Sequence, residues 1–179
     1  MHLEFSIDGR KQLSRVLQGI SDDIQNWQPA LERMATDFYE TQGDVFLSEG
    51  AAEGLARWAP LSPGYAAWKA QNYEGRPMLV LTGRLRSALT NPSGQGAIKR
   101  VEKRRLELGA NVPVGRRNLA LLHQRGTDRM PARPVIRISQ PQRARWVRIL
   151  QSYLWEEQLE DHIESEIRDA FRLSVEREP

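Results

Sequence analysis

Apolar residues recur along this chain with two different periods, and the switches between them outline the elements. Leu3, Phe5 and Ile7 alternate with polar neighbours, which predicts a strand closed by Asp8-Gly9. Leu13, Val16, Leu17 and Ile20 then fall at helical spacing and predict a first amphipathic helix. A second helix is predicted to open at Trp27-Gln28-Pro29, where proline's missing N–H costs nothing. It carries Leu31, Met34, Ala35, Phe38, Val45 and Phe46 inward and ends near Gly50. An Ala- and Gly-rich connection over 51–61 leads to Ser62-Pro63, which reads as a cap followed by the first helical residue. The short helix after it presents Tyr65, Trp68 and Lys69.

Residues 72–77 read as a turn, and Thr82 as the N-cap of a brief helix with Leu85 and Leu89 on one face. The run Asn91-Pro92-Ser93-Gly94-Gln95-Gly96 reads as a flexible loop. Two strands follow, with Ile98 and Val101 opposite Leu106 and Leu108 and a charged tip between them. Leu119 to His123 suggests a helical turn, and the alternation over Pro134 to Ser139 suggests another strand. After Ser139-Gln140-Pro141 the positions of Trp146, Ile149, Leu150, Tyr153 and Leu154 predict a helix. Leu159, Ile163, Ile167 and Phe171 continue at every fourth residue. The order predicts an α+β fold: a small, largely antiparallel sheet packed by helices, with a long C-terminal helix.

Composition narrows the class. A chain of 179 residues fits one domain, and 40% hydrophobic with 27% charged residues is ordinary for a globular protein. There is no cysteine, which removes disulfide frameworks and Cys-based metal sites. The N-terminus lacks the uninterrupted apolar stretch of a signal peptide, and no run approaches the roughly 20 apolar residues of a membrane span. Charge is uneven: residues 156–179 hold nine acids against three arginines, so −6, and the overall +3 leaves +9 on residues 1–155. A chain polarised in this way is suited to pairing head-to-tail with its own copies, or simply carries a solvated acidic helix.

Candidate chemistry is sparse. His2, His123 and His162 are far apart and lack metal-ligand spacing, so no metal site is expected. His123, in the HQRG segment, would need a nucleophile and an orienting acid to serve as a general base, and only Asp128 is near in sequence. The structural alternative, hydrogen bonding of loop backbone by His123 and Gln124, is preferred. Gly94-x-Gly96 lacks the rest of a nucleotide fingerprint. Asp22-Asp23 and Glu156-Glu157 are sequence neighbours that diverge on a helix, so neither is a catalytic dyad. Between residues 99 and 117 seven basic residues face two acids, a net +5. Such an arm binds phosphates, binds an acidic protein surface, or merely keeps a strand edge solvated. It lacks interleaved aromatics for base stacking. Of the large aromatics, Trp146 is expected in the core and Trp58 either in the core or at an interface.

Three motifs follow one another in order: WAPLSPGYAAWK (Trp58 to Lys69), LVLTGRLRSAL (Leu79 to Leu89) and LLHQRGTDRMPARPVIRIS (Leu121 to Ser139). Together they resemble the phage virion morphogenesis family, the tail-completion proteins of Mu-like and P2-like tailed bacteriophages. The resemblance implies a non-enzymatic assembly protein without cofactors, with residues 1–155 as the tail-completion domain and 156–179 as its acidic helical extension. It implies action where tails are completed and joined to DNA-filled heads, in a virion assembled in the bacterial cytoplasm. The implied partners are further copies in a sixfold or twelvefold ring and phage tail and head–tail connector proteins, with no membrane; contact with DNA is the possibility that the basic hairpin adds. Expected interface residues are Trp58, Tyr65, Trp68, Lys103, Arg104, Arg105 and Arg133. Pro60, Pro63, Thr82, Gly83, His123, Gln124, Gly126, Pro131 and Pro134 are expected to shape the motifs. Residues before proline are pushed out of the helical region, so Pro131-Ala132-Arg133-Pro134 is extended and would offer Arg133 to a neighbour's carboxylate. The alternatives are a DNA-binding assembly factor using the basic hairpin and a hydrolase accessory using His123, which lacks a catalytic partner set.

Overall fold

A computed structural model describes residues 26–155. The expected opening strand and first helix, His2, His162 and the acidic C-terminal extension lie outside the described residues. Helix α1 spans Gln28–Leu47, with Pro29 in its first turn. Its buried residues include Ala30, Met34, Phe38, Gln42 and Val45, a stripe stepping by three or four. Leu31 is only partly buried and Leu47 is exposed, so the stripe runs out before the helix does.

Gly50 turns the chain out of α1. Its φ is 96°, and an added Cβ would lie 2.7 Å from the Trp58 indole, so glycine meets both a conformational and a spatial need. A 3-10 turn, Ala52–Gly54, and an extended stretch lead to α2, Pro63–Asn72. Ser62 precedes α2 in extended conformation, but its hydroxyl makes no capping bond. Helix α3 is Arg84–Thr90. Its N-cap is Gly83, in the left-handed region with φ 81°, and not Thr82. A tight left-handed turn suffices there, so the threonine hydroxyl is not needed.

The 91–96 segment, expected to be a flexible loop, is a close-packed turn. The Asn91 side chain accepts the Ser93 N–H at 2.9 Å, and a Cβ on Gly94 would fall 2.4 Å from the Ser87 carbonyl oxygen. Strands β1 (Ala97–Glu102) and β2 (Arg105–Ala110) then form an antiparallel hairpin with Lys103-Arg104 at its tip. Val101 faces Leu106 as expected, whereas Leu108 faces Lys99 and Ile98 faces Gly109. A second, two-residue ladder joins β3 (Pro113–Val114) to β4 (Arg117–Asn118) and runs into α4, Leu119–Arg125. Helix α5, Gln140–Leu154, is capped by the Ser139 hydroxyl accepting the Gln142 N–H, with Pro141 in its first turn.

The core lies where α1 meets α3, α5 and both strands of the hairpin. Phe38, Phe46, Leu89 and Val112 are among its fully buried side chains, and Trp146 packs against it from α5. The α+β class holds. The expected strand over Pro134 to Ser139 does not form: the segment joins no ladder and bends at Val135. Its backbone finds a side chain instead. Gln124 Oε1 accepts the N–H groups of Val135 and Ile136, each at 3.0 Å, and Gln124 Nε2 donates to the Ile136 carbonyl at 2.9 Å. The amide of Gln124 replaces a neighbouring strand, which satisfies the buried backbone without a ladder.

Candidate functional site

The three sequence motifs, far apart in the chain, wall one cleft of about 600 Å³. Motif one contributes Leu61, Ser62, Tyr65 and Lys69; motif two contributes residues 79–85; motif three contributes His123, Arg129, Met130, Pro131 and Arg133. Leu85, Val112 and Leu119 add apolar surface to the wall. Leu79, on that wall, holds φ at 58°, a conformation a leucine adopts only when its surroundings enforce it.

Motifs one and three are strapped together by side chains that bond backbone. Arg133 is 3% exposed and points inward: Nε donates to the Ala59 carbonyl and Nη2 to the Pro60 carbonyl, both at 2.7 Å. Its own N–H donates to the His123 carbonyl at 2.8 Å. Trp58 Nε1–H donates to the Pro134 carbonyl at 2.8 Å, and Arg137 donates to the Gly50 carbonyl at 2.8 Å. The stiff extended run between Pro131 and Pro134 does present Arg133 rigidly, but to this chain's own carbonyls and not to a neighbour's carboxylate. Trp58, 4% exposed and edge-on to Phe46 with centroids 5.4 Å apart, is likewise a core residue and not an exposed anchor. Arg133→Ala is expected to cost about 3 kcal/mol, because the packing of a buried side chain is lost together with its charge-assisted bonds to the Ala59 and Pro60 carbonyls. Arg133→Lys should recover only part, since an ammonium cannot reproduce the fork. Urea denaturation measures both, and an unchanged midpoint for Arg133→Ala would overturn the clamp.

Gly126 ends α4 with φ 73°, and a Cβ there would sit 2.7 Å from the Ala132 nitrogen, so the glycine of HQRG lets the chain double back on itself. His123 differs from expectation. Its backbone carbonyl serves the turn, but its Nδ1 is buried without a partner among the described residues. Burial first, and the nearby Arg133 cation second, push its pKa below the usual imidazole value, so the ring is neutral at pH 7. Lys69 is buried and donates to the Pro77 carbonyl, and burial lowers its pKa. Behind it Glu49 accepts from Arg57 at 2.7 Å, and that bond holds its carboxyl below the ordinary value.

The outer surface of the site is helix α2. Of its ten residues only Lys69 is buried. Tyr65 and Trp68 are 43% and 44% exposed and stack with centroids 5.4 Å apart, and Trp68 meets Tyr73 at 5.6 Å. A helix this short is marginal in water, and this one offers almost no face to its own protein. Large aromatics standing exposed on it are the composition of an interface. The charged groups lining the cleft are Lys69, Arg84, Arg129 and Arg133, and no carboxylate is among its lining residues. An apolar cleft with a cationic border and an aromatic rim is suited to holding a protein segment.

The tip residues Lys103, Arg104 and Arg105 are exposed, on the hairpin and apart from the cleft lining. Arg84 and Arg129 escaped sequence reasoning. They sit inside motifs two and three, and the signal that marks them is basic residues in segments otherwise made of turns and caps. No group of three or more potential metal ligands exists among the described residues, and none of their helices is long and apolar enough to cross a membrane.

A family model, that of the phage virion morphogenesis family, matches residues 8–155. No curated protein and no solved structure matches the chain.

Proposed function

Because the chain belongs to the phage virion morphogenesis family, we propose that it completes the tail of a tailed bacteriophage and joins it to the head at the neck, as a ring and without catalysing a reaction. Virion assembly is the family's role; the neck position, the ring and its sixfold or twelvefold symmetry are the proposal. The observation that carries it is α2, an almost wholly exposed helix bearing Tyr65 and Trp68 beside the motif-walled cleft. Aromatic anchors next to a pocket are where binding energy concentrates at interfaces. His123, the residue on which a hydrolytic reading would rest, has a buried Nδ1 without a hydrogen-bond partner among the described residues.

Tyr65→Ser combined with Trp68→Ser tests this directly. Both side chains are half-exposed, so the fold should lose no more than about 1 kcal/mol. In a phage lacking this gene, the variant should yield unjoined heads and tails by electron microscopy of lysates. Normal infectious particles would overturn the interface.

A second reading, DNA contact by the hairpin, draws on the exposed tip. Arg105 pairs with Glu107 at 3.4 Å, whereas Lys103 and Arg104 have no carboxylate partner among the described residues. Changing Lys103, Arg104 and Arg105 to Ser should alter stability by less than about 0.5 kcal/mol. If the tip binds phosphates, duplex DNA binding by the parent should fall steeply with salt and vanish in the variant. Binding that is equal in both would remove this reading.

A further inference from the structure

We propose that the cleft receives the acidic C-terminal segment, residues 156–179, of a second copy of this chain. The inference deepens the ring reading by naming the contact between neighbouring subunits. The cleft's charged lining is cationic throughout, and Arg84 and Arg129, both exposed there, have no ion-pair partner among the described residues. Residues 156–179 carry nine acids and three arginines, a net −6 against +9 on the remainder of the chain.

The apolar patterns match as well. Leu159, Ile163, Ile167 and Phe171 recur every fourth residue, and Glu160 and Glu164 each follow one of them directly. A stripe of that spacing flanked by carboxylates is what an apolar cleft with arginines at its border accepts, each apolar side chain entering while the acids meet the guanidiniums. Leu85, Val112 and Leu119 supply the apolar wall, and Tyr65 supplies the aromatic rim that shields the contact from water. The surfaces differ on the two partners, one giving its tail and the other its cleft. Such a head-to-tail contact repeats from copy to copy and closes into a ring when the rotation allows.

Two charge-reversed full-length chains test it. The cleft variant carries Arg84→Glu and Arg129→Glu; the tail variant carries Glu160→Lys and Glu164→Lys. Native mass spectrometry and light scattering at low salt should show the parent chain assembling. Each variant alone should assemble at least about a hundredfold more weakly, since like charges are brought face to face. Mixed together they should assemble in alternation, because the acidic tail of the cleft variant fits the arginine-bordered cleft of the tail variant, and the lysine-bearing tail of the latter fits the glutamate-bordered cleft of the former. A chain carrying all four changes should regain assembly.

If the variants assemble as the parent does, the tail–cleft contact is wrong while the ring reading stands. If the parent is a monomer whose tail cross-links to its own cleft, the occupant is intramolecular and the proposal fails. If the parent assembles but the mixed variants do not co-assemble, it fails too. Loss of joined particles in the complemented phage bears on the neck reading alone.

Discussion

Trp58→Ala is expected to destabilise the protein by about 4 kcal/mol, the usual cost of truncating a large buried aromatic. The indole fills the space between the end of α1 and the 134–138 segment. It lies edge-on to Phe46, and it closes so tightly on Gly50 that a single Cβ there would collide with it. Its Nε1–H also satisfies the Pro134 carbonyl at 2.8 Å. Truncation therefore opens a cavity and orphans a carbonyl at once. Trp58→Phe should fall between, retaining most of the apolar contact and losing the hydrogen bond, at about 1–2 kcal/mol. Chemical denaturation followed by far-UV circular dichroism reads both values. An interface anchor would behave in the opposite way: Trp58→Ala would keep the parent's midpoint and lose assembly, and that outcome would move Trp58 back to the surface role its motif suggested.

Asp37→Ala is expected to be nearly as costly, again about 4 kcal/mol, through a different mechanism. This carboxylate fastens α5 onto α1. It accepts from Gln142 Nε2 at 3.1 Å, from Arg145 Nε and from Trp146 Nε1 at 2.7 Å, and its side chain is 16% exposed. Without it three donors lose their acceptor, one of them a guanidinium, and Gln142 is wholly buried. Arg145 would keep Glu53, which holds the Ser139 hydroxyl as well, so the helix would loosen rather than detach. Asp37→Asn should cost about half as much, because the shape and one acceptor survive while the charge is gone. Equal stability of Asp37→Ala and the parent would mean that α5 is held by apolar packing alone.

Much of the helical architecture was legible. Pro29, Pro63 and Pro141 each mark a first helical turn, a position where a residue without an N–H is tolerated locally, whatever lies around it. The α1 stripe and the Val101–Leu106 pairing were legible for a similar reason: periods of 3.6 and 2 reflect the chain's own geometry. The 134–139 segment was read wrongly because alternation records which side chains face inward and not what the backbone bonds to. Its partner, the amide of Gln124, leaves no mark on the pattern. The motifs were visible as three strings, but nothing in the strings says that they share a cleft.

The family, the α+β class, the starts of the helices, the charged hairpin tip and the opposed charges of body and tail follow from residue identity and short-range spacing alone. The direction of the motif side chains is set by packing between segments distant in the chain. Trp58 and Arg133 turn inward to the carbonyls of residues 134, 59 and 60, while Tyr65 and Trp68 stay outside because, among the described residues, no other element covers α2. Burial is set by what packs from elsewhere in the chain, and an aromatic or an arginine carries no local sign of whether its partner is its own backbone or another molecule.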